Sequence, residues 1–223
     1  MKILALLPQV AYLSEVLSIV FFLCFLKRNK GEGLWIIFLY CVFSVLAEII
    51  GLLLVPEKNK FYFWAFYTIT EYSIFAYFFY TAFKGKKIRY IPLIGSFLFC
   101  VVVGITFYNR NTKAFDSLSA SMEALLMIIY SIVFLYDQMT NPEIMYVYNS
   151  KKFWMVIAFF LYFSSTLFLF LFASSIITPQ HSSYWTINNS FEILKNVLLC
   201  VSFAMKKSDT NQNSIKAFDP DLL

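Results

Sequence analysis

Residues 152–177 read KFWMVIAFFLYFSSTLFLFLFASSII, twenty-six positions whose one charge is the first of them. A helix needs about 20 apolar residues to cross a hydrocarbon core of about 30 Å, and this run exceeds that length. Runs of the same kind lie near 4–26, 34–55, 61–83, 90–108, 117–137 and 183–205. Together they predict an all-α integral membrane protein with seven transmembrane helices. The breaks between them are short and polar, as at Lys27-Arg28-Asn29-Lys30-Gly31, Lys84-Gly85-Lys86-Lys87 and Thr178-Pro179-Gln180, and none has room for a soluble domain.

Composition agrees. Of 223 residues, 60% are hydrophobic and 14% charged, with a mean hydropathy of +0.70. Soluble domains run near 45–50% apolar and about 25% charged. The net charge of +5 is scattered over loops rather than gathered into a patch, which argues against a nucleic-acid partner. Twelve Lys and Arg fall on the side of the first, third and fifth loops and the tail, and five on the other, so the N-terminus is expected outside and the C-terminus in the cytoplasm. The polar tail, 206–223, is expected in the cytoplasm, with 1–205 as one membrane domain. Lys2 precedes an apolar run, but Glu15 interrupts it and no small-residue cleavage site follows, so it is read as a retained span. Lys outnumbers Arg fifteen to three, which points to an AT-rich genome and a prokaryotic inner (plasma) membrane. Cys24, Cys41, Cys100 and Cys200 lie in or beside apolar spans, where a thiol is a small hydrophobe and no disulfide or zinc spacing exists.

Four tryptophans supply an internal repeat. Trp35 and Trp64 open the second and third spans, and Trp154 and Trp185 the sixth and seventh, at offsets of 119 and 121. Trp64 precedes Glu71 by seven residues, and Trp185 precedes Glu192 by the same seven. Two three-helix units in the same orientation, about 4–83 and 117–205, joined by a linker helix at about 90–108, make a 3+1+3 parallel repeat. That plan resembles the SWEET sugar transporters and, more distantly, the seven-helix opsins. The resemblance is one of topology over nearly the whole chain. Pro8-Gln9 and Pro179-Gln180 share the dipeptide of the PQ-loop relatives, but both are placed at helix ends.

Ionisable groups in hydrocarbon cost roughly 2.5–3.5 kcal/mol each and therefore turn inward and mark function. Six lie inside the spans, away from their ends: Glu15, Glu48, Glu71, Glu123, Glu192 and Lys195. At about 1.5 Å per residue they sit roughly 9–18 Å from the outer helix ends, which predicts an outward-facing vestibule above almost purely apolar cytoplasmic halves. In the seventh span Asn188, Glu192, Lys195 and Asn196 share one face, continued outward by Trp185, and a Glu three residues before a Lys can form an ion pair. Trp64, Thr68, Glu71 and Tyr72 form a comparable stripe, with Trp64, Trp185 and Tyr72 as its aromatic lining; Ser44 stands one turn from Glu48, and Ser119 one turn from Glu123. Five acids against one base leave some to be neutral, solvated or neutralised by a bound cation.

A zinc site with several His ligands cannot be assembled, because His181 is the sole histidine and lies in a loop. That separates the chain from seven-helix hydrolases with intramembrane His and Asp, and no Ser-His-Asp set exists in the spans. No enzyme is expected, although two Glu alone would suffice for a carboxylate hydrolase. No cofactor or metal is expected: retinal on Lys195 with Glu71 as counter-ion would need a sixth-span Pro and an aromatic clamp that are missing. The expected function is transport of a small solute, coupled to protons, with a small molecule or cation as ligand. The competing readings are a sensor that signals to a cytoplasmic protein partner and a structural or regulatory subunit of a membrane complex.

Overall fold

A computed structural model describes residues 2–29, 33–108, 117–140, 147–176 and 184–206. These form eight α-helices: α1 (Lys2–Cys24), α2 (Leu26–Asn29), α3 (Trp35–Leu53), α4 (Lys60–Ala82), α5 (Tyr90–Tyr108), α6 (Ser117–Thr140), α7 (Lys151–Ile176) and α8 (Tyr184–Ala204). Single 3₁₀ turns at Glu57–Asn59 and Val147–Asn149 lead into α4 and α7, and no strand occurs among the described residues. Helices α1, α3, α5, α6 and α7 are long and apolar enough to cross a membrane, which makes the chain a multi-pass membrane protein. Helices α4 and α8 match them in length, at 23 and 21 residues, but are not among the five by composition. The proposed tail beyond Lys206, His181 and Pro179-Gln180 lie outside the described residues.

Helix ends fall within a few residues of the expected ones, with two differences. Helix α1 begins at Lys2, so Pro8 lies inside it rather than at its end. Proline there removes one donor, to the carbonyl four residues back. The other is α2, a single turn that continues the first span.

Neighbours follow a ring: α1 packs between α3 and α8, α3 beside α4, α4 beside α6, α6 beside α7 and α7 beside α8, with α5 laid outside α4 and α6. The outward faces carry Leu52, Leu53, Ile94, Phe97 and Phe168, each exposed by at least half. Water would not tolerate so much contiguous apolar surface, whereas lipid does. The interior is aromatic: Phe75, fully buried, meets Tyr40 at 4.6 Å, Phe159 at 4.6 Å and Phe163 at 5.7 Å between ring centroids. Each such pair adds about 0.5–1.5 kcal/mol beyond its buried area.

Gly95 lets α5 approach α6, because a Cβ there would run into the Tyr130 hydroxyl and ring. That hydroxyl is hydrogen-bonded to Tyr72, 2.9 Å away, so it has little room to retreat. Gly95→Ala is expected to lower stability by about 1–3 kcal/mol, read as an earlier unfolding midpoint in detergent, whereas Gly104→Ala, which meets nothing within 4 Å, should leave it unchanged.

At the end of the bundle where α1 and α8 finish and α7 begins, residues at and just beyond the ends of the expected spans gather into a buried polar group. Lys151, 3% exposed, donates from Nζ to the Arg28 carbonyl (2.8 Å) and to Asn29 Oδ1 (3.0 Å). Asn29 Nδ2 donates to the Phe203 carbonyl (3.3 Å), and Ser202 Oγ to the Lys151 carbonyl (2.8 Å). The carbonyls at the ends of α2 and α8 lack helical partners, and these side chains supply them. The result is a buried polar clamp across α2, α7 and α8.

Candidate functional site

Helices α1, α3, α4 and α8 each turn one polar stripe inward. On α3, Tyr40, Ser44 and Glu48 recur every four residues; on α4, Tyr67 and Glu71 do so. Ser44 Oγ donates to Glu15 Oε1 at 2.9 Å and lies 3.3 Å from the Tyr67 hydroxyl. Most other serines and threonines of the bundle bond to their own helix carbonyls, as Ser18 and Thr68 do. Ser44 instead joins two helices.

Lys195, 1% exposed, has a divided set of partners. Its Nζ donates to the Tyr40 hydroxyl at 2.8 Å and lies 3.5 Å from Glu192 Oε1, one turn back on the same helix. The ammonium also stands 4.6 Å from the centroid of the Tyr162 ring and 5.2 Å from that of Tyr40, within cation–π range. The Glu71 carboxyl stands near the Tyr40 and Tyr67 hydroxyls. Ser44–Glu15, Ser44–Tyr67, Lys195–Tyr40 and Lys195–Glu192 contacts thus make up a polar circuit that Glu71 adjoins.

Carboxylate oxygens of Glu15, Glu48 and Glu192 all lie within 4.8 Å of one another. Glu15 is buried, while Glu48 and Glu192 are half-buried, with the Glu192 side chain 12% exposed. Access therefore runs from the Glu48 and Glu192 side toward Glu15 and Lys195. Around this centre Asn196 Nδ2 donates to Ser14 Oγ on α1 (2.9 Å), and Tyr162 OH on α7 donates to Asn188 Oδ1 (3.3 Å). The four polar residues of the α8 stripe thus reach α1, α3 and α7.

Other candidates fall elsewhere. Glu123, buried on α6, lies where its charge acts on Tyr72 and Tyr162, outside the three-carboxylate group. Tyr72 stacks on Phe99 at 3.9 Å and donates to Ser96 Oγ at 3.2 Å, so it faces α5 and α6. Trp64 is half-buried and closes against Gly51, 3.2 Å from where a Cβ would stand, and against Tyr67. Trp185 is half-buried at the start of α8. A groove of about 640 Å³ between α4 and α5, lined by Ile69, Ala76, Leu93 and Phe99 among others, is apolar and separate from the carboxylates.

No protein-family model, curated protein or solved structure matches the chain. The site is read from its own chemistry. It holds a mixed set of acceptors and donors, one fixed ammonium and a negative excess, inside helices whose other residues are apolar. Such a set can move a proton between carboxyls through hydroxyls, or hold a cation. The sequence reading singled out the charges and Ser44 but not Tyr40, Tyr67, Tyr162 or Ser14. Their signal was the four-residue spacing of Tyr40 to Ser44 and of Tyr67 to Glu71.

Proposed function

We propose that this chain is a seven-span transporter of a small solute in the cell (inner or plasma) membrane, coupled to protons, with its N-terminus outside. The reading rests above all on the polar circuit, which places four carboxylates and one lysine among α1, α3, α4 and α8. Merely structural glue between membrane helices is supplied by single hydrogen bonds worth about 0.6 kcal/mol each, whereas every buried ionisable group adds a larger insertion cost. Counting α4 and α8 as crossings gives seven, since they lie in the ring beside the five apolar helices. The order of that ring, α1, α3, α4 and then α6, α7, α8 with α5 outside, favours two three-helix units joined by a linker.

In this reading the solute enters from the Glu48 and Glu192 side, Lys195 and Asn188 orient it, and Glu71 and Glu192 exchange the coupled proton through Tyr40 and Lys195. The test is solute-driven acidification of proteoliposomes, recorded with a trapped pH dye across a panel of sugars, amines and amino acids. Glu71→Gln and Glu192→Gln should each abolish solute-dependent proton movement while the protein elutes as folded. Normal coupling in both variants would refute the assignment.

The sensor reading is favoured by one observation, the Lys151 clamp. It ties α7 and α8 at the end opposite the access side, so a shift of α8 on ligand binding would reach the loops there. Ligand-dependent stabilisation without any flux, together with co-purification of a cytoplasmic protein, would select it.

A further inference from the structure

Three carboxylates share one small space, and the cation beside them is engaged elsewhere. Lys195 spends its shortest bond on the Tyr40 hydroxyl and its ring contacts on Tyr40 and Tyr162, and reaches Glu192 only at 3.5 Å. Glu15 is 3% exposed, and its Oε2 is buried with no hydrogen-bond partner among the described residues. A buried acceptor without a donor costs more than a satisfied one contributes, and more again when it is charged. Carboxylate oxygens of Glu48 and Glu192 lie within 4.8 Å of one of those of Glu15. Ionised carboxylates this close repel one another, and a positive charge placed among them relieves that repulsion.

Size and charge narrow that particle. With the three oxygens no more than 4.8 Å apart, one point lies within about 2.8 Å of all three, and oxygens bind calcium at roughly 2.3–2.6 Å. The ligand set is all oxygen, as hard cations prefer over soft ones. Ionised Glu15, Glu48 and Glu192 with Lys195 sum to −2, which a divalent ion brings to zero. Glu71 adds its own charge behind the Tyr40 and Tyr67 hydroxyls, so a monovalent ion would leave the centre further from neutral.

We propose that Glu15, Glu48 and Glu192 hold a hard divalent cation of the calcium or manganese kind, with Ser44 positioning Glu15 and Lys195 balancing Glu192. This rests on the reading of the same residues as a ligand site, but not on anything being transported. Ser44 acts as the outer partner of a ligand, a class of residue whose loss weakens metal affinity by about 10–100-fold.

The experiment uses the full chain in phosphatidylcholine nanodiscs, stripped with EDTA and titrated with radioactive calcium, and separately with manganese followed by electron paramagnetic resonance. One saturable ion per chain is expected, together with a lower unfolding temperature in EDTA that calcium restores. Ser44→Ala should bind at least about tenfold more weakly, and Glu48→Gln should lose saturable binding. Asp137→Asn, an acid at the other end of the bundle, should bind as the wild type does. Absence of saturable binding to folded wild type up to millimolar ion overturns the proposal. So does binding retained in Glu48→Gln, and so does stabilisation by acid with no response to metal, which would assign the space to protons. Ion binding without flux removes the transporter reading and leaves this one; proton-coupled flux without ion binding does the reverse.

Discussion

Lys195→Met is expected to destabilise the protein more than any other single replacement in the bundle, by about 3–5 kcal/mol. The change removes the one cation within a set of four carboxyls, two of them buried and two half-buried, and takes a partner from Glu192 and from the Tyr40 hydroxyl. Methionine fills a similar volume, so the loss reports charge and hydrogen bonding rather than a cavity. Unfolding titrations in mixed micelles would show it as an earlier midpoint. The double variant Lys195→Met with Glu192→Gln should recover part of the loss, because the stranded carboxylate is gone. A single variant as stable as wild type would mean that Lys195 contributes nothing to holding the helices together.

The second large effect is Phe75→Ala. This ring is the hub between α3, α4 and α7, packed at a tilt against Tyr40 and Phe159 and edge-on against Phe163. In water-soluble cores such a truncation costs about 3–5 kcal/mol. In a bilayer the transfer from water falls away, and the empty volume with its lost dispersion contacts carries the effect. Because Tyr40 leans on the same ring, Phe75→Ala should also loosen the Lys195 bond, so its cost and that of Lys195→Met should not add. Phe97→Ala, whose ring is 70% exposed on the lipid side of α5, should cost nothing measurable in the same titration.

How much of this was legible beforehand depends on what each residue stands against. Helices were legible because an apolar run ended by Lys, Asn and Gly is a strong contrast, and the ends of α5 fall at 90 and 108 as expected. Ionisable groups inside those runs were legible for the same reason. The hydroxyls that connect them were harder to pick out, since Tyr40, Tyr67 and Tyr162 are three among fifteen tyrosines, and only the four-residue spacing to Ser44 and to Glu71 sets the first two apart from interface anchors. Tyr72 shows the opposite case. It neighbours Glu71, but adjacent residues on a helix diverge by about 100°, and the one turned to Ser96 and Tyr130 while the other met Tyr40. Lys151 was read as an orienting loop charge because its partners, Arg28 and Asn29, lie more than a hundred residues away. Only tertiary structure brings them together.

The neighbours of α1 carry a consequence for biogenesis. Glu15 needs Ser44 on α3 and shares its carboxylate group with Glu192 on α8, and Ser14 is bound by Asn196. The stretch between Glu15 and Glu192 is 177 residues, which a ribosome adds in about 9–35 s at roughly 5–20 residues per second. Throughout that time the first helix sits in the membrane with a carboxyl whose final companions do not yet exist. The insertion machinery, a membrane chaperone or water at the protein's edge must shelter it until the last helix arrives. Chains cut short before α8 will present this face to the membrane's quality-control proteases.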